Sequence, residues 1–582
     1  MPRPKRNERR ERGEVPVAGE GREAGLRFEA LDALLLAAVL LFAMLLINRT
    51  GFINGEELWP APDAIEYSAM AINMDRGIGP VLHFAGLTYP ARYTVGYPLL
   101  LSVAYPLVGR RPERLCLATA FMALVAVAGL YLLTLWAFDR PSAIVAAMLL
   151  ATSPYFIGLS TCVLSDVPAL AISILAALAF LYALERESIG AAALSGLLVG
   201  WAITIRVTNA TILIGIVAAV WAVTPRRLSM PAIIAFGIGS IPFPALQAWT
   251  DWRYFGSPLS TGYAFWRPDI YRTGQDAFSL RYLFFPVSPK WKHGNLGSYL
   301  LALSGLDGLT GRLRFGMELR PLLHSRYALY PSPVAVFAAL GALAIGRGKP
   351  RAVTIRTIYL GGGFLVTLLF FYLFYFYRDP RFVLPAMFII FALAGFGIVS
   401  TNRNFKPGWM GIGVIVLDAI IVAGVAAETI THLSMGAPDS KIIAEVQEIR
   451  PQLAHSVLVT DISLQWLELF VGGEGIDFVG LDTLFAEEAI NEYHLHFLYE
   501  NGSGGYGMPP ILMPEGKLDA VEARKLADID HAGRPVYLLV AMPMRKDWAS
   551  TLMGEFGELA GAFSMETVAR YPEIGLYRLK PK

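Results

Sequence analysis

Cysteine is nearly absent from this chain, and charged residues are scarce. Only two cysteines occur among 582 residues. Cys116 and Cys162 both lie in or beside apolar segments, which excludes a readable disulfide framework and suits small buried hydrophobes. His494 and His496 alternate in spacing but lack further ligands, so no metal site is predicted there. With 16% charged and 55% hydrophobic residues, the composition also excludes an ordinary soluble protein.

What the sequence has instead is a series of long apolar runs after a basic tail. Residues 1–27 are rich in arginine and poor in apolar residues, which predicts a disordered cytoplasmic tail. The next apolar run lacks a small-residue cleavage site, so it is interpreted as a retained first span. Runs long enough, or nearly so, to cross about 30 Å of hydrocarbon fall at 31–48, 115–137, 142–159, 167–184, 190–205, 208–223, 231–249, 331–345, 357–377, 382–400 and 409–427. They predict a multi-pass α-helical membrane protein with about eleven spans.

One further run, Val95 to Val108, is ambiguous because it is short and contains Pro98 and Pro106. Charge decides between the alternatives, since cytoplasmic loops collect lysine and arginine. If the run lies along the interface, the compact basic loops share the side of the N-terminus. These loops are Asp139-Arg140, Glu185-Arg186-Glu187, Arg226-Arg227, Arg347 to Arg356 and Arg403 to Lys406. If the run spans the membrane, those loops lie outside, and Arg110-Arg111 is the one basic pair that moves to the cytoplasmic side. The interfacial arrangement is therefore preferred.

This arrangement places the long polar regions on the extracytoplasmic side. The predicted domains are a tail at 1–27, a transmembrane domain at 28–430 with outer loops 49–114 and 250–330, and a soluble extracytoplasmic α/β domain at 431–582. The expected location is a bacterial or archaeal inner or plasma membrane, with the N-terminus in the cytoplasm.

The region after about residue 440 has the composition of a soluble domain in which strands and helices alternate. The predicted strands are 456–460, 477–479, 535–542 and 575–579. The predicted helices are 440–454, 463–471, 519–529 and 547–559. A glycine-rich run at 501–507 is followed by no Lys-Ser/Thr pair and preceded by no strand, so it is not a phosphate-binding loop. It is interpreted as a linker or a substrate-gating loop.

Asp63 and Glu66 follow the first span. A carboxylate beside a bilayer is energetically costly, which suggests a functional role for these acids. Pro62 is typical of a helix start, and Tyr67 and Met70 continue that helix on an apolar face. A carboxylate in this place can act as a general base. The alternative for Asp63 is a first-turn acid favoured by the helix dipole, and the catalytic interpretation is preferred. Glu66 is either a second acid or a solvated neighbour.

A third acid, Asp166, lies in a short turn between two apolar runs, on the same predicted side as Asp63. It can cap the following helix, orient arginine or lysine groups, or help to bind a metal. Two carboxylates alone do not specify a metal, so a divalent cation such as Mg²⁺ or Mn²⁺ stays open.

Several cations near the predicted outer face can neutralise an anionic group such as a phosphate. The candidates are Arg92, Arg206, Arg378, Arg381 and His83. Arg206 lies within otherwise membrane-embedded sequence, so it must be paired or face a cavity. Arg378 and Arg381 can equally extend to lipid headgroups.

The loop 250–330 is rich in aromatic residues, among them Tyr263 and Trp266. Aromatic residues with arginine suit the headgroup zone of a bilayer. They equally suit contacts with sugar rings and phosphate. Both interpretations stay open.

Short motifs along residues 31–400 resemble, in their order and sidedness, those of the GT-C superfamily of polyprenol-phosphate-dependent glycosyltransferases. The motifs are Asp63-x-x-x-Tyr67, Tyr89-Pro90, Gly96-Tyr97-Pro98-Leu99-Leu100, Ser165-Asp166-Val167-Pro168, Gly196-Leu197-Leu198-Val199-Gly200 with Thr204-Ile205-Arg206, Phe255-Gly256-Ser257-Pro258, and Arg381-Phe382-Val383-Leu384-Pro385. The branch with protein O-mannosyltransferases and lipid A aminoarabinose transferases is the most similar.

The resemblance implies the GT-C fold and an undecaprenyl- or dolichyl-phosphate sugar donor. Asp63 matches the acceptor-activating acid of the family, and Asp166 matches the acid of its second loop. The expected acceptor or sugar contacts are Tyr67, Tyr89, Tyr263 and Trp266. Many protein mannosyltransferases have adjacent Asp-Glu where this chain has Asp63-Ala64, which argues against a protein acceptor.

The expected activity is therefore inverting transfer of a sugar from a lipid phosphate to a glycan, lipid or protein outside the cytoplasm, with Asp63 as general base. One alternative is a noncatalytic envelope assembly protein with this fold. Another is a lipid or glycan transporter, which predicts repeats with interrupted helices, and no internal repeat is evident. No nucleic-acid partner is predicted.

Overall fold

The computed structural model describes residues 28–49, 63–84, 87–223, 228–266, 271, 277–285, 294–304, 332–348, 350–377, 379–404, 441–460, 464–472, 475–480, 533–541 and 563–582. Several predicted elements lie outside these residues. They are the span at 409–427, the helices at 519–529 and 547–559, and the glycine-rich run at 501–507.

Helices dominate the chain up to residue 404. In chain order they are α1 (Ala30–Arg49), α2 (Asp63–Asp75), α3 (Gly96–Leu107), α4 (Cys116–Ala137), α5 (Arg140–Ala151), α6 (Pro154–Ser160), α7 (Asp166–Arg186), α8 (Ile189–Ile205), α9 (Ile212–Trp221), α10 (Met230–Ser240), α11 (Pro242–Phe255), α12 (Gly262–Trp266), α13 (Arg281–Phe284), α14 (Asn295–Ser304), α15 (Ser332–Arg347), α16 (Ala352–Leu373) and α17 (Phe388–Asn404). Short 3₁₀ turns at Pro112–Arg114, Val207–Thr211 and Pro380–Ala386 lead into α4, α9 and α17. An antiparallel hairpin of β1 (Val81–Phe84) and β2 (Leu87–Pro90) follows α2.

Among the described residues, five helical segments are long and apolar enough to cross a membrane. They are Ala30–Asn48, Pro112–Ala137, Asp166–Arg186, Met230–Phe255 and Ala352–Leu373. The pair Pro380–Ala386 and Phe388–Arg403, bent by 69°, makes a sixth if it crosses as one unit. Shorter apolar helices are Arg140–Ala151, Ile189–Ile205, Val207–Trp221 and Val334–Arg347. The chain is thus a multi-pass helical membrane protein, and the total of about eleven spans stays a prediction.

The ambiguous run Val95 to Val108 forms α3, a helix of 12 residues. At 1.5 Å per residue such a helix is about 18 Å long, which is too short to cross the hydrocarbon. One side of α3 packs into the protein through Tyr97 and Leu101, whereas Val103 and Leu107 on the other side are exposed. This amphipathic pattern favours the interfacial arrangement.

Two glycines permit close approaches that position the segment between β2 and α3. A Cβ at Gly96 would lie 2.5 Å from the carbonyl carbon of Thr204, so α3 abuts the backbone at the end of α8. A Cβ at Gly262 would lie 2.6 Å from the carbonyl oxygen of Arg92, so α12 lies directly on that segment. Larger residues at these positions would displace the segment that contains Arg92.

The C-terminal region contains a five-stranded mixed sheet with strand order β4-β3-β5-β7-β6. The strands are β3 (Val457–Thr460), β4 (Asp477–Gly480), β5 (Val536–Ala541), β6 (Phe563–Arg570) and β7 (Ile574–Pro581). β3 pairs in parallel with β4 and β5, whereas β7 pairs antiparallel with β5 and β6. Helices α18 (Lys441–Ile449) and α19 (Leu464–Val471) accompany the sheet. α19 also contacts α2 and β1, so this region lies against the first loop.

Candidate active site

Helix α2 begins at Asp63, and the whole stretch from Ala64 to Asn73 is buried. Its first turn contains Asp63 and Glu66, and the partial positive charge of a helix N-terminus favours acids there. Asp63 retains 17% exposure of its side chain, whereas the Glu66 side chain is fully buried. The helix therefore presents Asp63 at the edge of the protein interior and holds Glu66 behind it.

Asp63 lies between two fixed donors. The Tyr93 hydroxyl donates to Oδ1 at 2.5 Å, and Arg381 Nη2 donates to Oδ2 at 2.9 Å. Arg92 Nη2 lies 3.8 Å from Oδ1. Burial by itself would raise the pKa of Asp63, but the charges of Arg381 and Arg92 and the hydrogen bond from Tyr93 outweigh it and lower the pKa below its ordinary value. Asp63 is thus ionised at neutral pH, as a proton acceptor must be.

Glu66 has a different electrostatic setting. Its Oε1 accepts a hydrogen bond of 2.7 Å from Arg92 Nη2. Burial raises the pKa of Glu66 to about 7; the Arg92 charge opposes this rise and the negative Asp63 adds to it. Asp63 and Glu66, one helical turn apart, therefore titrate in different pH ranges. The reason is that several hydrogen-bond donors and cations surround Asp63, whereas Glu66 has the single donor Arg92 among the described residues.

Asp166 is the first residue of α7 and is 1% exposed. Its carboxylate accepts from the Arg206 guanidinium, which follows α8. Ser165 rather than Asp166 occupies the N-cap position, and the carboxylate of Asp166 is engaged by Arg206. The pair explains how Arg206 is tolerated beside apolar helices, since a buried charge requires a partner.

Two contacts join the Asp63 and Asp166 regions. The Tyr67 hydroxyl donates to Ser165 Oγ at 3.2 Å, which links α2 to the residue before Asp166. The Phe382 ring lies under both neighbouring guanidiniums, with its centroid 4.9 Å from Cζ of Arg206 and 5.5 Å from Cζ of Arg381. The two acids and their arginines thus form one cluster.

Asp379 holds Arg381 from behind. Its Oδ1 accepts from the backbone N–H of Arg381 at 3.0 Å and from the Tyr155 hydroxyl at 2.8 Å. Its Oδ2 lies 3.2 Å from Arg381 Nε. The local sequence Asp-Pro-Arg favours this geometry, because Asp caps the 3₁₀ turn and Pro380 occupies its first position.

Sequence reasoning missed three members of the cluster: Tyr93, Asp379 and Phe382. Asp379 had a local signal, since an Asp before Pro-Arg is typical of a capped turn. Tyr93 and Phe382 stood beside predicted arginines, but nothing local indicated that the hydroxyl of one meets Asp63 or that the ring of the other meets Arg206.

A row of tyrosine rings leads away from Asp63. Tyr67 stacks on Tyr93 with ring centroids 4.5 Å apart. Tyr93 meets Tyr263 edge to face at 5.8 Å, and Tyr263 meets Tyr271 at 5.4 Å. The predicted sugar contacts Tyr67 and Tyr263 therefore lie in one aromatic row. Tyr67 is buried in this row, whereas Tyr93, Tyr263 and Tyr271 are partly exposed.

Four other predicted site residues cannot be assigned a side-chain position here. His83 pairs through its backbone with Thr88, and Tyr89 pairs with Leu82, but the structure describes neither side chain. The side chain of Trp266, at the end of α12, and all of Arg378 also lie outside the described part. Within that part, no group of three or more His, Cys, Asp or Glu side chains comes together to hold a metal ion.

The described charges of the cluster nearly balance. Four carboxylates, those of Asp63, Glu66, Asp166 and Asp379, face the three guanidiniums of Arg92, Arg206 and Arg381. A guanidinium has five N–H donors, so pairing with one or two carboxylates still leaves donors for a further anion. The cluster can therefore bind an anionic group, keep a carboxylate ionised next to it, and exchange a proton near neutral pH.

The comparisons with known proteins agree with this architecture. Residues 94–246 match the family model described as dolichyl-phosphate-mannose-protein mannosyltransferase. The structure of ArnT from Cupriavidus metallidurans bound to undecaprenyl phosphate matches with a TM-score of 0.56 and 13% identity, over 94% of this chain and 97% of that one. Its apo state gives 0.55, with the same identity and coverage. The oligosaccharyltransferase AglB from Archaeoglobus fulgidus, in complex with an inhibitory peptide and a dolichol-phosphate, gives 0.49 at 12% identity, over 95% of this chain and 75% of that one.

No curated protein sequence matches the chain significantly. The family match contains Asp166 and Arg206 but begins after Asp63. The full-length similarity to ArnT extends the fold over nearly the whole chain. The predicted resemblance is confirmed: this chain has the fold of the GT-C glycosyltransferases and resembles the dolichyl-phosphate-mannose-protein mannosyltransferases over residues 94–246.

Proposed function

We propose that this protein is a membrane glycosyltransferase that moves a sugar from a polyprenyl-phosphate donor to a glycan, lipid or protein acceptor outside the cytoplasm. The observation that carries the proposal is the cluster in which Asp63 meets Arg381 and Asp166 meets Arg206 around the ring of Phe382. These are the parts that the reaction needs, namely a carboxylate for the acceptor proton and cations for the leaving phosphate.

The donor class follows from the chemistry of the cluster and from the similar proteins. Three guanidiniums beside apolar helices suit a phosphate attached to a lipid chain. The similar ArnT structure holds undecaprenyl phosphate. A polyprenyl-phosphate sugar is therefore the donor we assign to this chain.

In the proposed reaction the hydroxyl oxygen of the acceptor attacks the anomeric carbon of the donor. The bond from that carbon to the phosphate oxygen breaks, and its electron pair leaves with the lipid phosphate. Asp63 takes the hydroxyl proton; each of its oxygens accepts one strong hydrogen bond in the free protein and retains a further lone pair. Arg92, Arg206 and Arg381 neutralise the departing phosphate. A single displacement of this kind inverts the anomeric configuration.

The proposal includes the membrane arrangement. The N-terminus would face the cytoplasm, about eleven helices would span, and residues 431–582 would form an extracytoplasmic domain with loops 49–114 and 250–330. Contact of α19 with α2 and β1 supports placing that domain on the same face as Asp63. In this position it covers the loop where the acceptor would enter.

Mass spectrometry of lipid that co-purifies with the protein tests the donor class directly. A bound polyprenyl phosphate, together with sugar transfer by the purified protein from a polyprenyl-phosphate sugar, is the expected result. A glycan profile of a deletion strain would then identify the acceptor. A protein that neither retains a polyprenyl phosphate nor binds one added in detergent would contradict the proposal.

A further inference from the structure

Glu66 is a buried carboxylate that has one oppositely charged partner among the described residues. Its side chain is fully buried, and Oε1 accepts from Arg92 Nη2 at 2.7 Å. Oε2 is buried as well, and no hydrogen-bond partner for it occurs in the described part of the chain. A carboxylate in such a place must be paired with a cation or hold a proton. Arg92 therefore supplies the positive charge that favours the ionised form of Glu66.

Arg92 is also one of the three guanidiniums that the proposed function assigns to the donor phosphate. Its Nη2 lies 2.7 Å from Glu66 Oε1, 2.7 Å from the Tyr93 hydroxyl and 3.8 Å from Asp63 Oδ1. One cation thus serves two carboxylates before any donor is present. A phosphate that binds Arg92 competes with Glu66 for the same positive charge.

Among the described groups near Glu66, none replaces that charge, since the guanidinium of Arg381 is already paired with Asp63 and Asp379. The described elements that contact α2 are β1, α3, α19, the segment after β2, the start of α7 at Ser165 and the 3₁₀ turn that contains Arg381. Their charged or titratable residues, with the nearby acid of α2 itself, are Asp63, Arg92, Tyr93, Tyr97, Tyr105, Asp166, Asp379, Arg381, Glu468 and His83, whose side chain lies outside the described part. Arg92 is the cation among the groups that act on Glu66, and Asp63 is an acid. When Arg92 turns to a phosphate, a proton is the simplest remaining compensation.

We propose that binding of the lipid phosphate draws Arg92 away from Glu66 and that Glu66 takes up a proton as the donor binds. The inference rests on the proposed function and adds a coupling between donor binding and pH. Burial already raises the pKa of Glu66 to about 7 against the opposing charge of Arg92. Loss of that charge moves the pKa further up, and a group whose pKa rises on binding takes up a proton.

The consequence is a dependence of donor affinity on pH. Above about pH 7 the free protein must acquire a proton to bind, so the affinity falls by about tenfold for each pH unit. This holds until the pH reaches the pKa of Glu66 in the bound state. With glutamine at position 66 no proton is exchanged there, and this part of the dependence disappears.

Isothermal titration calorimetry with a short-chain prenyl phosphate, added to the detergent-solubilised full chain, tests the coupling. Titrations at pH 8 in buffers of different ionisation enthalpy give the number of protons taken up. Because proton binding to Glu66 is linked to donor binding, the wild type is expected to take up close to one proton more than Glu66→Gln. The difference between the two proteins removes the proton uptake of the phosphate monoester itself. Arg92→Gln removes the cation for which Glu66 and the phosphate compete. This variant is also expected to show no extra proton uptake.

A matched control is Glu185→Gln, since Glu185 is also paired with a buried arginine, Arg356, but lies outside the cluster. It is expected to retain the wild-type proton uptake. Equal uptake in the wild type and Glu66→Gln would overturn the coupling while leaving the proposed function intact. Failure of the wild type to bind prenyl phosphate at any pH would overturn both.

Discussion

Arg381 donates from Nη2 to Asp63 Oδ2 at 2.9 Å, across 318 residues of sequence. At the near end, Asp379 and the 3₁₀ turn fix the arginine. At the far end, the carboxylate begins α2, in the first loop. The contact therefore ties the bent helix pair near residue 387 to the loop that contains the proposed base. It also keeps Asp63 ionised where the acceptor would bind.

Asp63→Asn keeps the shape of the side chain and removes the proton acceptor. We expect kcat for sugar transfer to fall by roughly 10²–10⁴, the usual contribution of a general base, with a much smaller change in donor affinity. Steady-state kinetics with a purified lipid-linked sugar measures both quantities.

Asp75→Asn is the matched control for that substitution. Asp75 ends the same helix and pairs with the exposed Arg110 at 3.1 Å, away from the cluster. It should retain transfer activity. Unchanged activity in Asp63→Asn, with normal expression, would remove Asp63 from the mechanism and favour a noncatalytic assembly protein.

Tyr93→Phe removes one of the two strong donors to Asp63. Although burial acts to raise it, the pKa of Asp63 is held down by Arg381, Arg92 and this hydroxyl. Loss of a hydrogen bond to the charged form raises that pKa. Because Asp63 works as an anion, the low-pH limb of the kcat/KM profile should move to higher pH.

The pH profile of Tyr97→Phe provides the comparison. The Tyr97 hydroxyl bonds Thr119 at 2.7 Å, and its ring lies against Tyr67 rather than Asp63. The low-pH limb should stay in place in this variant. A Tyr93→Phe profile that overlays the wild type would show that the hydroxyl does not tune Asp63.

Arg206→Ala leaves the buried Asp166 without its counter-charge. Breaking a buried pair from one side costs about 3–5 kcal/mol, so a large loss of thermal stability is expected together with weaker donor binding. In the double variant Asp166→Asn/Arg206→Ala no uncompensated charge remains, and much of the stability should return. Donor affinity should not return with it. Full donor affinity in a folded Arg206→Ala protein would exclude this arginine from phosphate binding.

Asp379→Asn tests whether Arg381 needs support from behind. A hydrogen bond to a charged group contributes about 1.5–3 kcal/mol, so kcat/KM should fall by about ten- to a hundredfold. Tyr155→Phe, which removes only the hydroxyl that bonds Asp379, should have a smaller effect in the same direction. If neither variant changes the kinetics, Arg381 is positioned by Asp63 and Phe382 without Asp379.

Gly96→Ala adds a methyl group where the backbone of Thr204 lies 2.5 Å away. Overpacking of this kind costs about 1–3 kcal/mol, and here it would separate α3 from the end of α8, next to Arg206. We expect a lower unfolding temperature and weaker donor binding. Gly237→Ala is the control, since nothing lies within 4 Å of the added carbon. A Gly96→Ala protein as stable as the wild type would contradict the close approach.

Much of the helical body follows from hydrophobicity along the sequence. Apolar runs predicted helices where α1, α4, α7 and α16 occur, because the bilayer selects long apolar segments. The run at 231–249 lies within the candidate span Met230–Phe255, in which Pro242 begins a second helix, so that the span consists of α10 and α11. In the C-terminal region strands occur at the four predicted places, whereas β6 was not predicted.

The candidate site was predicted as separate residues and not as pairs. Asp63, Asp166 and Arg206 each had a local reason to be unusual, since a charge beside apolar sequence is costly. That cost says nothing about which partner compensates it. Tyr93 and Phe382 are ordinary residues in sequence, and their roles exist only through contacts with distant parts of the chain.

By itself, then, the sequence determined that this protein is helical, is embedded in a membrane and has a few charged residues beside its apolar helices. Tertiary structure alone decided that Glu66 shares Arg92 with Asp63, that Asp166 takes Arg206, and that Asp379 supports Arg381. The physical reason is the separation in sequence over which each interaction acts. Hydrophobic periodicity acts between neighbours in sequence, whereas the compensation of a buried charge depends on whichever group the fold brings within about 3 Å.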